Sequence, residues 1–161
     1  MPTDFLTLLR RDHTDLQQEL TRLLDPTAPL GVLRSSLDGV RLGLIAHAEA
    51  EDIVLTRFEE LPALQTLVAH SRAAHLAQEG ALMALVSSKP GTGGWLDRAS
   101  HLRELIFHHA AEQEASLLPA LQELQLDYSQ LAGAFATERL RQLAMLQPSA
   151  PVYMPNYAAA V

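Results

Sequence analysis

The chain of 161 residues contains no cysteine. Disulfides, zinc-thiolate sites, iron–sulfur clusters and thiol catalysis are therefore excluded, and any bound metal must be held by histidine and carboxylate side chains. Aromatic residues are also scarce, with one tryptophan, three tyrosines and four phenylalanines, whereas there are seven histidines. Because histidine is so prominent in this composition, the positions of the histidines are the most informative feature of the sequence.

Two further features are missing from the sequence. No apolar run reaches the length of about 20 residues that crosses a bilayer, and the N-terminal segment MPTDFLTLLRRDH carries charges where a signal peptide is apolar. We therefore expect a cytoplasmic protein without a membrane partner. The 12 Lys and Arg residues are outnumbered by 19 Asp and Glu residues, and no basic run could neutralise a row of phosphates. We expect no nucleic-acid partner.

The apolar residues recur at helical spacing, and prolines and glycines divide the chain into four long helical segments and a shorter fifth one. Thr3 is the predicted N-cap of the first helix, and Pro119 is expected to kink the fourth. The predicted helices cover about residues 3–24, 30–60, 62–88, 95–125 and 129–146.

Short loops between long helices favour an all-α fold, namely an up-down-up-down antiparallel four-helix bundle with an additional C-terminal helix. With 48% hydrophobic residues, we predict one domain over residues 1–147. Residues 148–161 contain three prolines and no periodicity, so we predict an irregular tail. Any oligomer is expected to form through the C-terminal helix.

Each of the four long helices carries a histidine inside its apolar stripe; these are His13, His47, His75 and His109. Glu51 lies four residues after His47 and therefore on the same helix face. At a rise of about 1.5 Å per residue, the four histidines come out in one layer of the bundle. A layer of unpaired imidazoles in an apolar core would cost several kcal/mol, whereas a shared cation would satisfy all of them. The pattern therefore predicts a metal site.

Four segments carry these histidines, and their sequences are RRDHTDL, HAEAEDIVL, HSRAAHLAQE and HHAAEQEASLLPAL. These four segments have the order and spacing found in the hemerythrin-like (HHE cation-binding) family, and the chain resembles that family over about residues 3–125. The resemblance implies a non-haem di-iron centre of two iron ions, with manganese or zinc as substitutes. It implies as metal ligands His13, His47, Glu51, His75, His109 and a carboxylate on the fourth helix.

The fourth helix departs from the family pattern. Gln113 stands four residues after His109, where many family members have a glutamate. The resemblance then makes Glu114, five residues after His109, the expected carboxylate ligand, with Glu112 as an alternative. If the inward face is shifted by one residue, His108 and Glu112 take the place of this pair.

The third helix departs as well. Ser71 stands four residues before His75, where the five-histidine hemerythrins have another ligand. Glu79, four residues after His75, or a water is expected to replace it. His70 is predicted to lie at the surface or behind the ligands, and His101 at the entrance to the site.

The resemblance implies a protein that binds dioxygen, or a related small diatomic ligand such as nitric oxide, or that handles iron. The sequence contains no nucleophile, general-base pair or phosphate loop near the site, so we expect binding without turnover. Two alternatives stay open, a small di-iron peroxidase or oxidase and a metal-free helical interaction module.

Overall fold

The computed structural model describes residues 4–147, which form helices joined by turns and loops and contain no strand. The predicted all-α class is confirmed. Thr3 and the predicted tail, residues 148–161, lie outside the described residues. The helices are α1 (Phe5–Leu23), α2 (Leu30–Leu55), α3 (Gln65–Val86), α4 (Gly93–Glu112), α5 (Leu118–Gln122) and α6 (Tyr128–Leu146). A 3₁₀ turn, Thr56–Phe58, follows α2, and a π-helical turn, Gln113–Leu117, joins α4 to α5.

Side-chain caps fix the start of three helices. The Asp4 carboxylate accepts a hydrogen bond from the Thr7 N–H at 2.7 Å and so caps α1. Thr92 and Asp127 do the same for α4 and α6. Each cap satisfies a backbone N–H that has no partner within its helix.

The predicted helix ends differ from the observed ones between α2 and α3. The regular part of α2 ends at Leu55 rather than near residue 60, and α3 begins at Gln65 rather than at Pro62. A 3₁₀ turn and a loop fill the interval. Helix boundaries are the weakest part of any pattern-based prediction, because terminal turns are decided by local backbone hydrogen bonds.

The π-helical turn explains how Pro119 is accommodated in the fourth segment. Proline has no N–H, and its ring collides with the carbonyl group four residues earlier in a regular α-helix. The turn Gln113–Leu117 widens the helix just before Pro119, and the N–H of Leu118 donates to the Gln113 carbonyl oxygen. The kink predicted at Pro119 therefore takes the form of a widened turn that begins six residues earlier.

The first four helices contact one another in a ring, in which α1 packs against α2 and α4, and α3 packs against the same two helices. Helix α6 packs against α1 and α2. Gly43 allows a close approach of α1 and α2, since a Cβ atom there would lie 3.3 Å from Leu16 Cδ2. The up-down-up-down order of the four helices stays a prediction. No described helix is both long and apolar enough to cross a membrane.

The apolar core consists of two clusters. One contains Phe5, Leu9, Val54, Leu64, Val68, Leu117, Leu121, Phe135 and their neighbours. The other contains Leu16, Leu20, Val40, Leu44, Leu82, Trp95, Leu102, Ile106 and their neighbours. On α1, α2, α3 and α4 the histidines fall between the members of these two clusters. The fold therefore has a polar layer enclosed by apolar side chains on both sides.

Candidate metal centre

Four imidazole rings meet in the polar layer. His13, His47, His75 and His109 are 2%, 1%, 4% and 3% exposed. His13, His47 and His109 each have a leucine or isoleucine three or four positions away on the same helix face, and on α3 the buried Val68 and Leu82 lie seven positions before and after His75. The ring centroids form a closed quadrilateral with sides of 4.9 Å from His13 to His47, 6.0 Å to His75, 4.7 Å to His109 and 5.7 Å back to His13.

Glu51 brings a carboxylate into this quadrilateral and is completely buried. One potential ligand atom from each of His13, His47, Glu51 and His109 lies within 4.8 Å of the other three. His75 lies beside this group, with its Nε2 atom 3.7 Å from Glu51 Oε2. These side chains could hold a metal ion.

The potential ligand atoms of this group make no hydrogen bond among the described residues, although His47 Nε2 lies 3.3 Å from Glu51 Oε2. They are both ring nitrogens of His13, the Nε2 atoms of His47, His75 and His109, and Glu51 Oε2. Buried polar groups without partners are rare in folded proteins, because each one has lost its water without compensation. A cation among them would satisfy all of these atoms together. The donor set therefore fits a metal ion.

Two carboxylates outside the group orient two of the histidines. His47 Nδ1 lies 3.2 Å from Asp12 Oδ2, and His75 Nδ1 lies 2.9 Å from Asp52 Oδ1. When Nδ1–H donates to a carboxylate, Nε2 is left free to bind a metal, which is the usual arrangement around histidine ligands. Asp12 also accepts a hydrogen bond from Arg139 Nε at 2.8 Å, which links α6 to the centre.

The charges of the centre follow from burial and from these contacts. Burial lowers the pKa of His13 to about 3 and that of His109 to about 4, so both imidazoles are neutral at pH 7. Burial also acts to lower the pKa of His47, but the carboxylates of Asp12 and Glu51 outweigh it and raise that pKa to about 9. Although burial acts to raise the pKa of Glu51, the electrostatic influence of the neighbouring His75 and the contact with His47 hold it well below its usual value.

In the absence of a metal, a proton on His47 therefore lies beside an ionised Glu51. His13 and His109 keep their lone pairs free. The arrangement can bind a cation in exchange for one proton, since ligand imidazoles must be neutral and ligand carboxylates ionised.

The fourth helix presents Gln113 to the centre, not Glu114. Gln113 is 3% exposed and its Nε2 donates to Glu51 Oε1, whereas the side chain of Glu114 is exposed. At about 100° of rotation per residue in an α-helix, Gln113 lies about 40° from the direction of His109, whereas Glu114 points about 140° away from it. The expected placement of Glu114 at the centre is thus not what the structure shows.

The alternatives on this helix lie outside the centre as well. His108 and Glu112 do form a pair, with His108 Nε2 3.4 Å from Glu112 Oε1, but their side chains are 74% and 52% exposed. The inward face is therefore the one that carries His109.

On the third helix, Ser71 is buried and its hydroxyl donates to Glu51 Oε1 at 2.6 Å. Glu79 is exposed and lines a small cavity beside His75, while its neighbour Gln78 is buried. His70 is exposed and lines the cavity that also contains Ser71 and His109, and His101 is exposed, while its place at the entrance to the site stays a prediction.

Sequence reasoning missed Asp12, Asp52 and Arg139. Asp12 directly precedes His13 and Asp52 directly follows Glu51, so their helical phase puts them at the edge of the inward face. A carboxylate at the edge of a stripe that contains histidines is a usable signal for an orienting partner. The pairing of Arg139 with Asp12 joins residues 127 positions apart and has no such local signal.

Comparisons of this chain with models of known protein families, with curated proteins and with solved structures found no match.

Proposed function

We propose that this protein is a hemerythrin-like, non-haem iron protein whose buried centre binds dioxygen or another small diatomic ligand. The observation that carries the proposal is that unpartnered polar atoms from four helices lie in one layer of the core, with Glu51 as the carboxylate among them. A helical bundle kept for packing alone has no need of these atoms, and leucine at the same positions would be more stable.

The identity of the metal follows from the donor set. Imidazole nitrogens and a carboxylate oxygen without sulfur suit iron, manganese and zinc. Iron is our first choice because the resemblance implies a non-haem iron centre. The resemblance implies two iron ions, whereas His13, His47, Glu51 and His109 are a ligand set for one ion. The number of ions is thus a separate question from their identity.

Two small cavities support the binding of a small ligand. One is lined by Ser71, His109 and Gln113 and the other by Asp52 and His75, each with apolar neighbours and a volume of about 70 Å³. For comparison, a cavity volume of roughly 10–15 Å³ is enough for one water molecule. Either space is large enough for a diatomic ligand next to the centre.

The first test is the metal content of the purified protein and of two variants. Glu51→Gln removes the ionised ligand without changing its shape, and His47→Ala removes a ligand from the same helix turn. Both should lose bound iron and keep their helical circular dichroism. Asp38→Asn, at an exposed position of α2 nine residues before His47, should keep the wild-type metal content. Wild-type protein without iron after anaerobic loading with ferrous ion would favour the metal-free interaction module.

The second test concerns the ligand. Iron-loaded, reduced protein should change its visible spectrum on addition of dioxygen or nitric oxide and recover it when the gas is removed. Sustained consumption of hydrogen peroxide with an added reductant would instead favour the peroxidase or oxidase alternative.

A further inference from the structure

We propose that the centre holds a single metal ion per chain, because Ser71 and Gln113 occupy the side of Glu51 at which a second ion would bind. This inference rests on the proposed function as a metal protein. It specifies the stoichiometry of the same centre and departs from the pair of ions that the resemblance implies.

The two oxygens of Glu51 have different surroundings. Oε1 accepts hydrogen bonds from the Ser71 hydroxyl at 2.6 Å and from Gln113 Nε2. Oε2 has no hydrogen-bond partner and lies 3.3 Å from His47 Nε2 and 3.7 Å from His75 Nε2. A carboxylate that bridges two ions gives one oxygen to each. Glu51 instead offers only Oε2, because two donors already saturate Oε1.

Ser71 and Gln113 form a fixed pair of donors. Gln113 Nε2 also lies 3.1 Å from Ser71 Oγ, so the two side chains and Glu51 Oε1 form one hydrogen-bonded group. Both side chains are 3% exposed and come from different helical segments. An ion bound at Glu51 Oε1 would have to displace the hydrogen bonds from Ser71 and Gln113. These bonds are buried and charge-assisted, and such bonds are about twice as strong as neutral ones.

The charge at the centre favours one ion as well. Glu51 is the one carboxylate among the facing atoms, since Asp12 and Asp52 each contact the outer nitrogen of a histidine. A first divalent ion would be partly neutralised by Glu51. A second would add two positive charges in the apolar core without a further carboxylate ligand, and such an uncompensated buried charge is strongly unfavourable.

The test is a count of ions per chain. Full-length protein is loaded anaerobically with ferrous ion, freed of excess metal and assayed for iron and for protein by amino-acid analysis. We expect a limit of one iron per chain and, after oxidation, an electron paramagnetic resonance signal that integrates to one isolated high-spin ferric ion per bound iron. Two irons per chain, with a spin-coupled and therefore weak signal, would overturn the inference but leave the metal function in place. No iron would overturn both.

The Gln113→Glu variant tests the reason for this stoichiometry. It replaces a donor by a carboxylate of the same shape and should raise the limit above one iron per chain. The double variant with Ser71→His should approach two. Glu114→Gln, on the exposed side of the same turn, is the matched control and should stay at one. A limit of one ion in Gln113→Glu and in the double variant would show that Ser71 and Gln113 do not set the count.

Discussion

Asp12 lies outside the candidate metal centre and still positions one of its histidines. Its carboxylate lies between His47 Nδ1 at 3.2 Å and Arg139 Nε at 2.8 Å. The carboxylate holds the imidazole in one orientation, and the guanidinium holds the carboxylate. Because a metal ligand must be correctly oriented before the ion arrives, this contact lowers the entropic cost of binding.

Asp12→Asn should therefore weaken metal binding while leaving the ligands themselves in place. The amide is a poorer acceptor for the His47 Nδ1–H, and loss of such an outer contact typically costs about 10–100-fold in metal affinity. Competition with a chelator of known affinity measures this change. Asp15→Asn, exposed on the same helix, is the control and should keep the wild-type affinity. If both variants bind the metal equally tightly, Asp12 does not contribute to metal affinity by orienting His47.

At the scale of single residues, the sequence predicted the inward histidines better than their partners. His13, His47, His75 and His109 interrupt apolar stripes, and an apolar stripe marks the helix face that points toward the core. The choice between Gln113 and Glu114 was different, because it depended on a family spacing of five residues where the helix itself keeps four in phase. The hydrogen bonds to Glu51 Oε1 depend on side chains from three helices and are invisible to any single periodicity.

At the scale of the helices, α6 is more than an addition to the first four. It packs against α1 and α2, and its Arg139 reaches the Asp12 carboxylate next to the centre. Arg139→Gln should reduce metal affinity by less than Asp12→Asn does, since it acts through one further contact. The control is Arg141→Gln, whose exposed side chain pairs with Glu138 on the same helix. An unchanged metal affinity in Arg139→Gln would show that α6 packs against α1 and α2 without influencing the metal site.

Glycines inside helices offer a second test at this scale. Gly80 lies within α3, where an added Cβ meets nothing within 4 Å. Gly80→Ala should stabilise the protein by about 0.5–1 kcal/mol, because alanine loses less backbone entropy in a helix. Gly43→Ala should gain less, since its Cβ would press on Leu16 at 3.3 Å. Urea unfolding of both variants measures the difference, and an equal gain would mean that α1 and α2 separate easily.

The breaks within and between helices were harder to predict than the helices themselves. Five helical segments follow from periodicity, and Pro119 indicates that the fourth is irregular. Periodicity alone cannot show that the irregularity begins at Gln113, because a π-helical turn shifts the phase by only one residue.

At the scale of the whole molecule, the polar layer divides the hydrophobic core into two clusters that the metal centre would join. Potential ligands from α1, α2 and α4 converge there, so a bound ion would connect helices that are distant along the chain. Iron-loaded protein should therefore melt at a higher temperature than metal-free protein at neutral pH, since an ion that binds only the folded state stabilises it. Scanning calorimetry of both forms tests this, with Glu51→Gln as the variant that should show no gain.

The pH dependence of stability should differ between the two forms. In metal-free protein, His13 and His109 have folded pKa values of about 3 and 4 against 6.5 when unfolded. The unfolded chain therefore binds more protons in this window, and stability is lost as the pH falls below 6.5. His47 has a raised pKa of about 9, so its contribution is complete below 6.5 and is lost as the pH rises toward 9.

Metal-free protein should thus be most stable near pH 6.5 and weaker on both sides. A bound ion replaces the proton of His47, so the alkaline loss should disappear in iron-loaded protein, and the gain in melting temperature from iron should grow between pH 6.5 and 9. Acid should cancel that gain as protons displace the ion from the imidazoles. His47→Gln should lack the alkaline decline without metal, whereas His108→Gln, fully outside the centre and exposed, should retain it. A gain from iron that is the same at pH 6 and pH 9 would contradict the exchange of a proton for the ion at His47.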